Sequence, residues 1–167
     1  MAVDNPLSPE ECNCFAIRAA ARHVTQFYDQ FMASTGLRTT QFSILAKLKR
    51  RGPLTINALA EDMVMDRTTL GRNILPLERN ELIRIESAAS DRRAKELHLT
   101  KAGEKRLEAA RKRWSGAQAR FEASFGAIRA AELRASLRAV VASELTPTAK
   151  SATGKRREHR SIPRSIP

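Results

Sequence analysis

Apolar residues recur every three or four positions over most of this chain, the period of a helix with one buried face. The first such run holds Cys14, Ile17, Ala21, Val24, Tyr28 and Phe31. Ser8-Pro9-Glu10-Glu11 ahead of it has the form of a capping box with proline in the first helical position, and Gly36 behind it is a natural stop. The pattern predicts a helix over Pro9–Thr35, about 40 Å long at 1.5 Å per residue. Residues 1–7 show no pattern and are expected to be disordered. A helix of that length exceeds what a small core needs. It fits either burial within one subunit or an interface between subunits.

Shorter helices follow. Phe42, Leu45 and Leu48 mark one that Thr40 can cap and Arg51-Gly52-Pro53 ends. Leu54 suits a short strand. Thr55 can cap a third helix carrying Ile56, Leu59, Ala60 and Met63. After a break at Val64-Met65, Asp66 can cap a fourth with the stripe Leu70, Ile74 and Leu77. Pro76 lies deep in that helix, removes one backbone hydrogen bond and predicts a kink beyond the first turns. Leu82-Ile83-Arg84-Ile85 and Ala94–Leu99 then read as strands around the polar loop Ser87–Arg93, with Leu97 and Leu99 on one face and His98 on the other. Thr100 caps a further helix, with Glu104 near its positive end and a stripe of Leu107, Ala110, Trp114, Ala117, Phe121, Phe125 and Ile128. Beyond Gly126, Leu133, Leu137, Val140, Val141 and Leu145 mark a last helix that Pro147 stops.

Two short amphipathic helices joined by a tight turn make a helix-turn-helix, whose second helix enters a DNA major groove. The outward face of that second helix carries Arg67, Thr68, Thr69, Arg72 and Asn73. Arginine suits guanine edges, asparagine suits adenine, and threonine suits phosphates and thymine methyls. Taken alone, the same face is also what an ordinary solvated helix shows. The hairpin that follows has a basic tip and forms a wing.

Charge favours the DNA reading. The 167 residues carry a formal charge of +12, with a sequence pI near 10.8, which points to a polyanionic partner. The segment 147–167 reads as a disordered basic tail. From Thr146 onward six cations, Lys150, Lys155, Arg156, Arg157, Arg160 and Arg164, stand against Glu158, a net of 6 − 1 = +5. The remaining 12 − 5 = +7 belongs to the rest of the chain, so the inference does not rest on the tail. A hydrophobic content of 42% supports a core. There is no apolar run long enough to span a bilayer and no signal-peptide pattern, so a cytoplasmic location without a membrane partner is expected. Cys12 and Cys14 are not a disulfide framework. His23, His98 and His159 are scattered and lack ligand-spaced neighbours, and no nucleophile elbow, phosphate loop or zinc spacing is present. No catalysis, metal or cofactor is expected.

Asp91-Arg92-Arg93-Ala94-Lys95-Glu96-Leu97-His98-Leu99-Thr100 followed by Gly103 resembles the wing signature of the MarR family of bacterial transcriptional regulators. Asp66-Arg67-Thr68-Thr69-Leu70 and Leu77-Glu78-Arg79-Asn80-Glu81-Leu82-Ile83 are similar to that family's recognition helix and exit. The resemblance covers roughly Cys12 to Leu145. Glu81 departs from it, standing where the family often has glycine. The fold class implied is mainly α with a small β-hairpin wing: a winged helix-turn-helix domain plus a helical dimerisation region. Residues 8–36 would form the first dimerisation helix, 37–100 the DNA-binding domain and 101–146 the C-terminal dimerisation helices.

The function implied is a homodimeric regulator, a repressor that leaves a pseudo-palindromic double-stranded DNA operator when a small aromatic or amphipathic acid arrives. Arg93 would enter the minor groove, held by Asp91, while Arg92 and Lys95 add groove or phosphate contacts. The resemblance offers Arg18, Arg22, His23, Phe27, Phe31, Phe42 and Trp114 as effector positions. Cys14-Phe15 is similar to the sensing position of the family's organic-hydroperoxide branch, with Tyr28 as an aromatic partner, although Thr39 stands where a second tyrosine would fall. A redox-sensing regulator using Cys14 is therefore one alternative. A winged helix that binds only protein is another, opposed by the Arg67/Arg72 and Arg92/Arg93 pairs.

Overall fold

The computed structural model describes residues 9–88, 93–143 and 145. One compact unit is Met1–Ala127 and a second is Ile128–Pro167. In the first, a turn of 3-10 helix at Pro9–Glu11 precedes α1 (Asn13–Met32), and another at Ala33–Thr35 closes it. Then come α2 (Thr39–Arg51), β1 (Leu54–Thr55), α3 (Ile56–Asp62), α4 (Arg67–Arg79), β2 (Ile83–Ser87), β3 (Lys95–Leu99) and α5 (Lys101–Phe125). The helix α6 (Ala127–Ala142) leads into the second unit.

The first helix begins later than its apolar pattern predicts. The Cys12 amide donates to the Pro9 carbonyl at 3.2 Å, which closes a 3-10 turn, and Cys12 itself is extended (φ −77, ψ 113). Helix α1 therefore starts at Asn13 with no side-chain cap, and the expected capping box does not start it; Ser8 lies outside the described residues. Nor does Thr40 cap α2, which begins one residue earlier. Asp29 of α1 accepts from both the amide and the hydroxyl of Thr39, each at 2.7 Å, and Gln41 accepts from the Arg38 amide at 2.9 Å. The other caps are local and as expected. Thr55 accepts from the Ala58 amide, Asp66 from the Thr69 amide and Thr100 from the Gly103 amide, at 3.1, 2.8 and 3.0 Å. Helix α4 runs on through Pro76 to Arg79. Helix α6 ends at Ala142, short of both Leu145 and Pro147.

The three strands form one antiparallel sheet in the order β1-β3-β2. Ile83 faces Leu99 and Ile85 faces Leu97 across the hairpin, while Leu54 pairs with Leu97 from the other side. Leu82 stays out of β2. Its carbonyl accepts from the Thr100 amide at 3.2 Å, and the Thr100 hydroxyl donates to the neighbouring Glu81 carbonyl at 2.7 Å. Glu81 takes φ 57, the left-handed conformation for which a glycine would be the easy choice. The turn is kept without the glycine.

The core lies under the helix-turn-helix. Ile44, Leu45 and Leu48 of α2, Leu59 of α3, Leu70, Ile74 and Leu77 of α4, Leu97 of β3 and Leu107 of α5 are buried together. The long helices contribute less than their stripes suggest. In α1 only Tyr28 and Met32 are buried, and Ile17 is 41% exposed. In α5, Leu107, Ala110 and Ala117 are buried, and the Tyr28 hydroxyl donates to Gln118 of α5 at 2.6 Å.

Candidate nucleic-acid interface

The helix-turn-helix is α3, the turn Met63–Met65, and α4. Its geometry is fixed by short-range bonds. The Met65 amide reaches the Ala60 carbonyl at 2.9 Å, and Asp66 then opens α4. Asp66 accepts twice from Thr69, from its amide at 2.8 Å and from its hydroxyl at 2.6 Å. These bonds, the hydroxyl's first, hold the Asp66 carboxyl below its ordinary value of 3.8.

The five outward residues of α4 do not behave alike. Arg67, Thr68 and Arg72 are exposed. Thr69 spends its hydroxyl on the cap, and the Asn73 amide group donates back to the Thr69 carbonyl at 2.8 Å. The Thr69 hydroxyl proton and one Asn73 N–H are thus already used, which leaves the Thr69 methyl, the second Asn73 N–H and Asn73 Oδ1 for other contacts.

On the wing, Asp91 and Arg92 lie outside the described residues, and so does the expected Asp91–Arg93 pairing. Arg93 is exposed, and Lys95 donates to Ser87 across the hairpin at 3.1 Å. Arg67 from α4 and Arg93 and Lys95 from the wing line one cleft of about 370 Å³, closed by Thr55, Ile56 and Asn57 at the start of α3. Residues far apart in sequence thus meet as three cations around one space, roomy enough to take a phosphate. Asn57 was not singled out by sequence. Its place beside the Thr55 cap was the available signal.

The residues offered as effector positions fall into separate places. Arg18, Arg22 and His23 are exposed on α1. Phe27 packs on Phe31 and Phe121, with ring centroids 5.1 and 6.4 Å away. Phe42 of α2 stacks on Trp114 of α5, 5.8 Å between centroids and 19° between planes. These two rings line a cavity of about 540 Å³ with Ser43, Ala46, Lys47, Lys49, Arg50 and Arg111. The cations were missed by sequence, although Lys47 and Lys49 lie within two turns of Phe42 and Arg50 just beyond. Cys12 and Cys14 are both exposed. Tyr28 lies 28 − 14 = 14 residues from Cys14 along α1, about 21 Å at 1.5 Å per residue, so the two do not meet within one chain. Among the described residues there is no group of histidine, cysteine and carboxylate side chains that could hold a metal, and no helix long and apolar enough to cross a membrane.

The sequence model of the MarR family matches residues 37–95, from the approach to α2 to the first residue of β3. The crystal structure of the M. tuberculosis transcriptional regulator MosR is 36% identical, with a TM-score of 0.69 over 81% of this chain and 100% of that one. The chain belongs to the MarR family. MosR in complex with DNA is similar at 35% identity, with a TM-score of 0.67 over 80% of this chain and 100% of that one. A curated relative, the uncharacterized HTH-type transcriptional regulator YxaD of Bacillus subtilis (strain 168), is 36% identical over 84 residues. Those residues are 50% of this chain and 59% of YxaD, so the chain spans less than two thirds of that relative's length. The MarR family and fold are those of transcriptional regulators, not of enzymes.

Proposed function

We propose that this MarR-family chain is a homodimeric, sequence-specific DNA-binding repressor. Helix α4 enters the major groove with Thr68 and Arg72 toward the bases and Arg67 toward the backbone, and the wing follows the flanking backbone and minor groove with Arg93. Asp91, Arg92 and Lys95 support it there. The observation that carries this reading is the cleft in which Arg67, Arg93 and Lys95 converge. Three cations around one space favour a phosphate between recognition helix and wing, and such contacts fix the register in which bases are read. The DNA complex of MosR supports it by family. Residues 8–36 and 101–146 serve as dimerisation helices on either side of a DNA-binding domain at 37–100. A two-fold pair presents α4 to half-sites about 34–36 Å apart on a pseudo-palindromic operator.

The test is fluorescence anisotropy with duplex DNA from upstream of the protein's own gene, against a scrambled duplex, over a salt series. A preference of at least about a hundredfold for the native duplex is expected. Arg93→Ala should weaken binding roughly tenfold and lower the salt slope by about one ion. Equal affinity of wild type and Arg93→Ala would sink the wing assignment. No binding to any duplex would leave a protein-interaction module instead.

The cavity beside Phe42 and Trp114 favours a second element of the function, release from DNA by a small aromatic acid. Its walls combine two stacked rings with four cationic side chains, which suits a flat anion.

A further inference from the structure

One side chain belongs both to the cavity and to the helix-turn-helix. Lys47 lines the cavity. Its Nζ also stands 2.9 Å from Asp62 Oδ2 and donates to the Asp62 main-chain carbonyl at 3.1 Å. Asp62 is the last residue of α3, and the turn into α4 begins at the next residue. That turn is strained. Val64 holds φ 50, a left-handed conformation that a β-branched residue enters only when its surroundings impose it. Lys47 therefore tethers the end of α3 at the point where the chain is bent against its preference. Both partners are largely covered, with side chains 28% and 21% exposed, so the pair is less screened by water than a surface pair. Arg51 also approaches Asp62, at 3.4 Å, but does not line the cavity.

We propose that Lys47 couples the cavity to the recognition helix. A flat aromatic monoanion seated against Phe42 and Trp114 draws the Lys47 ammonium off Asp62, the end of α3 loses its tether, and the strained turn lets α4 leave the position that fits DNA. This rests on the effector reading of the same cavity. Two further wall cations are paired elsewhere and are less consequential to displace. Lys49 pairs with Glu104, and Arg111 with Glu108 of its own helix, both at the surface and away from the turn. A ligand moves an equilibrium only by binding one state better than the other. Here the difference is the Lys47 contact, open to the ligand only in the state where Asp62 has let go.

The experiment uses the full chain with 4-nitrobenzoate as the probe and 4-nitrobenzamide as its neutral counterpart. Trp114 is the only tryptophan, so its quenching reads occupancy of the cavity directly. The expected result is quenching by the acid and not by the amide, with at least about a fivefold loss of operator affinity measured by anisotropy. In Asp62→Asn the quenching remains, operator affinity is already lowered without probe, and the probe weakens it by less than twofold more. Arg51→Gln responds as wild type does. Absence of quenching in the wild type overturns the effector reading and the coupling together. Quenching without loss of DNA affinity, or an Asp62→Asn that keeps the full probe response, overturns the coupling alone. If Asp62→Asn does not fold, hydrogen exchange of the wild type decides. The amides of Met63 and Met65, bonded to Leu59 and Ala60 at 2.9 Å each, exchange faster with 4-nitrobenzoate bound; unchanged exchange overturns the proposal.

Discussion

Gly103 has no room for a side chain. A Cβ there would run into the Leu82 carbonyl and come within 2.7 Å of the Leu99 side chain. Gly103→Ala therefore forces α5 off the turn that ends the recognition helix and should cost about 1–3 kcal/mol in a urea melt. The upper end is expected, because the obstacle is backbone. Val64→Gly should act in the opposite direction. A left-handed valine costs about 1–2 kcal/mol, and the extra chain entropy of glycine about 0.5–1, so a net gain of up to about 1.5 kcal/mol is expected from the same melt. Asp66 makes stability depend on pH. Its carboxyl is held below 3.8 by Thr69, so the contribution is complete above 3.8 and lost as pH falls through the lowered value. The stability gap between wild type and Asp66→Ala should be full at pH 7 and narrow steadily below pH 3.8. A gap that does not change with pH would mean that the charge of the cap contributes nothing.

At the scale of elements, legibility in the sequence followed locality. The starts of α3, α4 and α5 were readable because Thr55, Asp66 and Thr100 each cap an amide three residues on. The start of α2 was not, because its cap is Asp29, ten residues upstream in another helix. The outward residues of α4 were legible as types but not as states. Residue type alone does not show that Thr69 and Asn73 would bond within their own helix, the local competition that short polar side chains always offer. The cleft and the cavity were legible only in part, because each joins side chains from elements that sequence order separates. Pro76 gives a prediction at this scale. It leaves the Arg72 carbonyl without its helical donor, so Pro76→Ala should stabilise the protein by about 1–3 kcal/mol, with operator affinity unchanged because the turns proposed to face DNA precede it. A loss of DNA affinity in that variant would show that proline shapes the reading head itself.

For the molecule as a whole, the pattern read best where it was least satisfied. Apolar stripes run at both ends of the chain, yet Ile17 of α1 is 41% exposed, and Ile128, Leu137 and Val141 are 77%, 41% and 62% exposed. Periodicity reports that a face is apolar, not what covers it. In the dimer proposed above these faces are covered by the partner chain. Ile17→Glu with Leu137→Glu should then convert a dimer into a monomer in analytical ultracentrifugation and abolish binding to a two-half-site duplex, while a melt still shows a folded chain. A monomeric wild type would remove the basis of the two-fold operator.

The cap that Asp29 places on Thr39 has a consequence for how the protein comes into being. A growing polypeptide appears amino end first, so the carboxylate that starts α2 is already outside when Thr39 arrives. The opposite holds at the other border. The recognition helix and wing are complete before Thr100 and Gly103 can fasten them, and the core beneath them waits for Leu107 and Ala110. During synthesis there is thus an interval in which the helix that carries Arg67 and Arg72 and the strand that carries Lys95 have been made but not locked. A nascent chain that paused there would meet nucleic acid with a reading head of the right composition and no fixed shape.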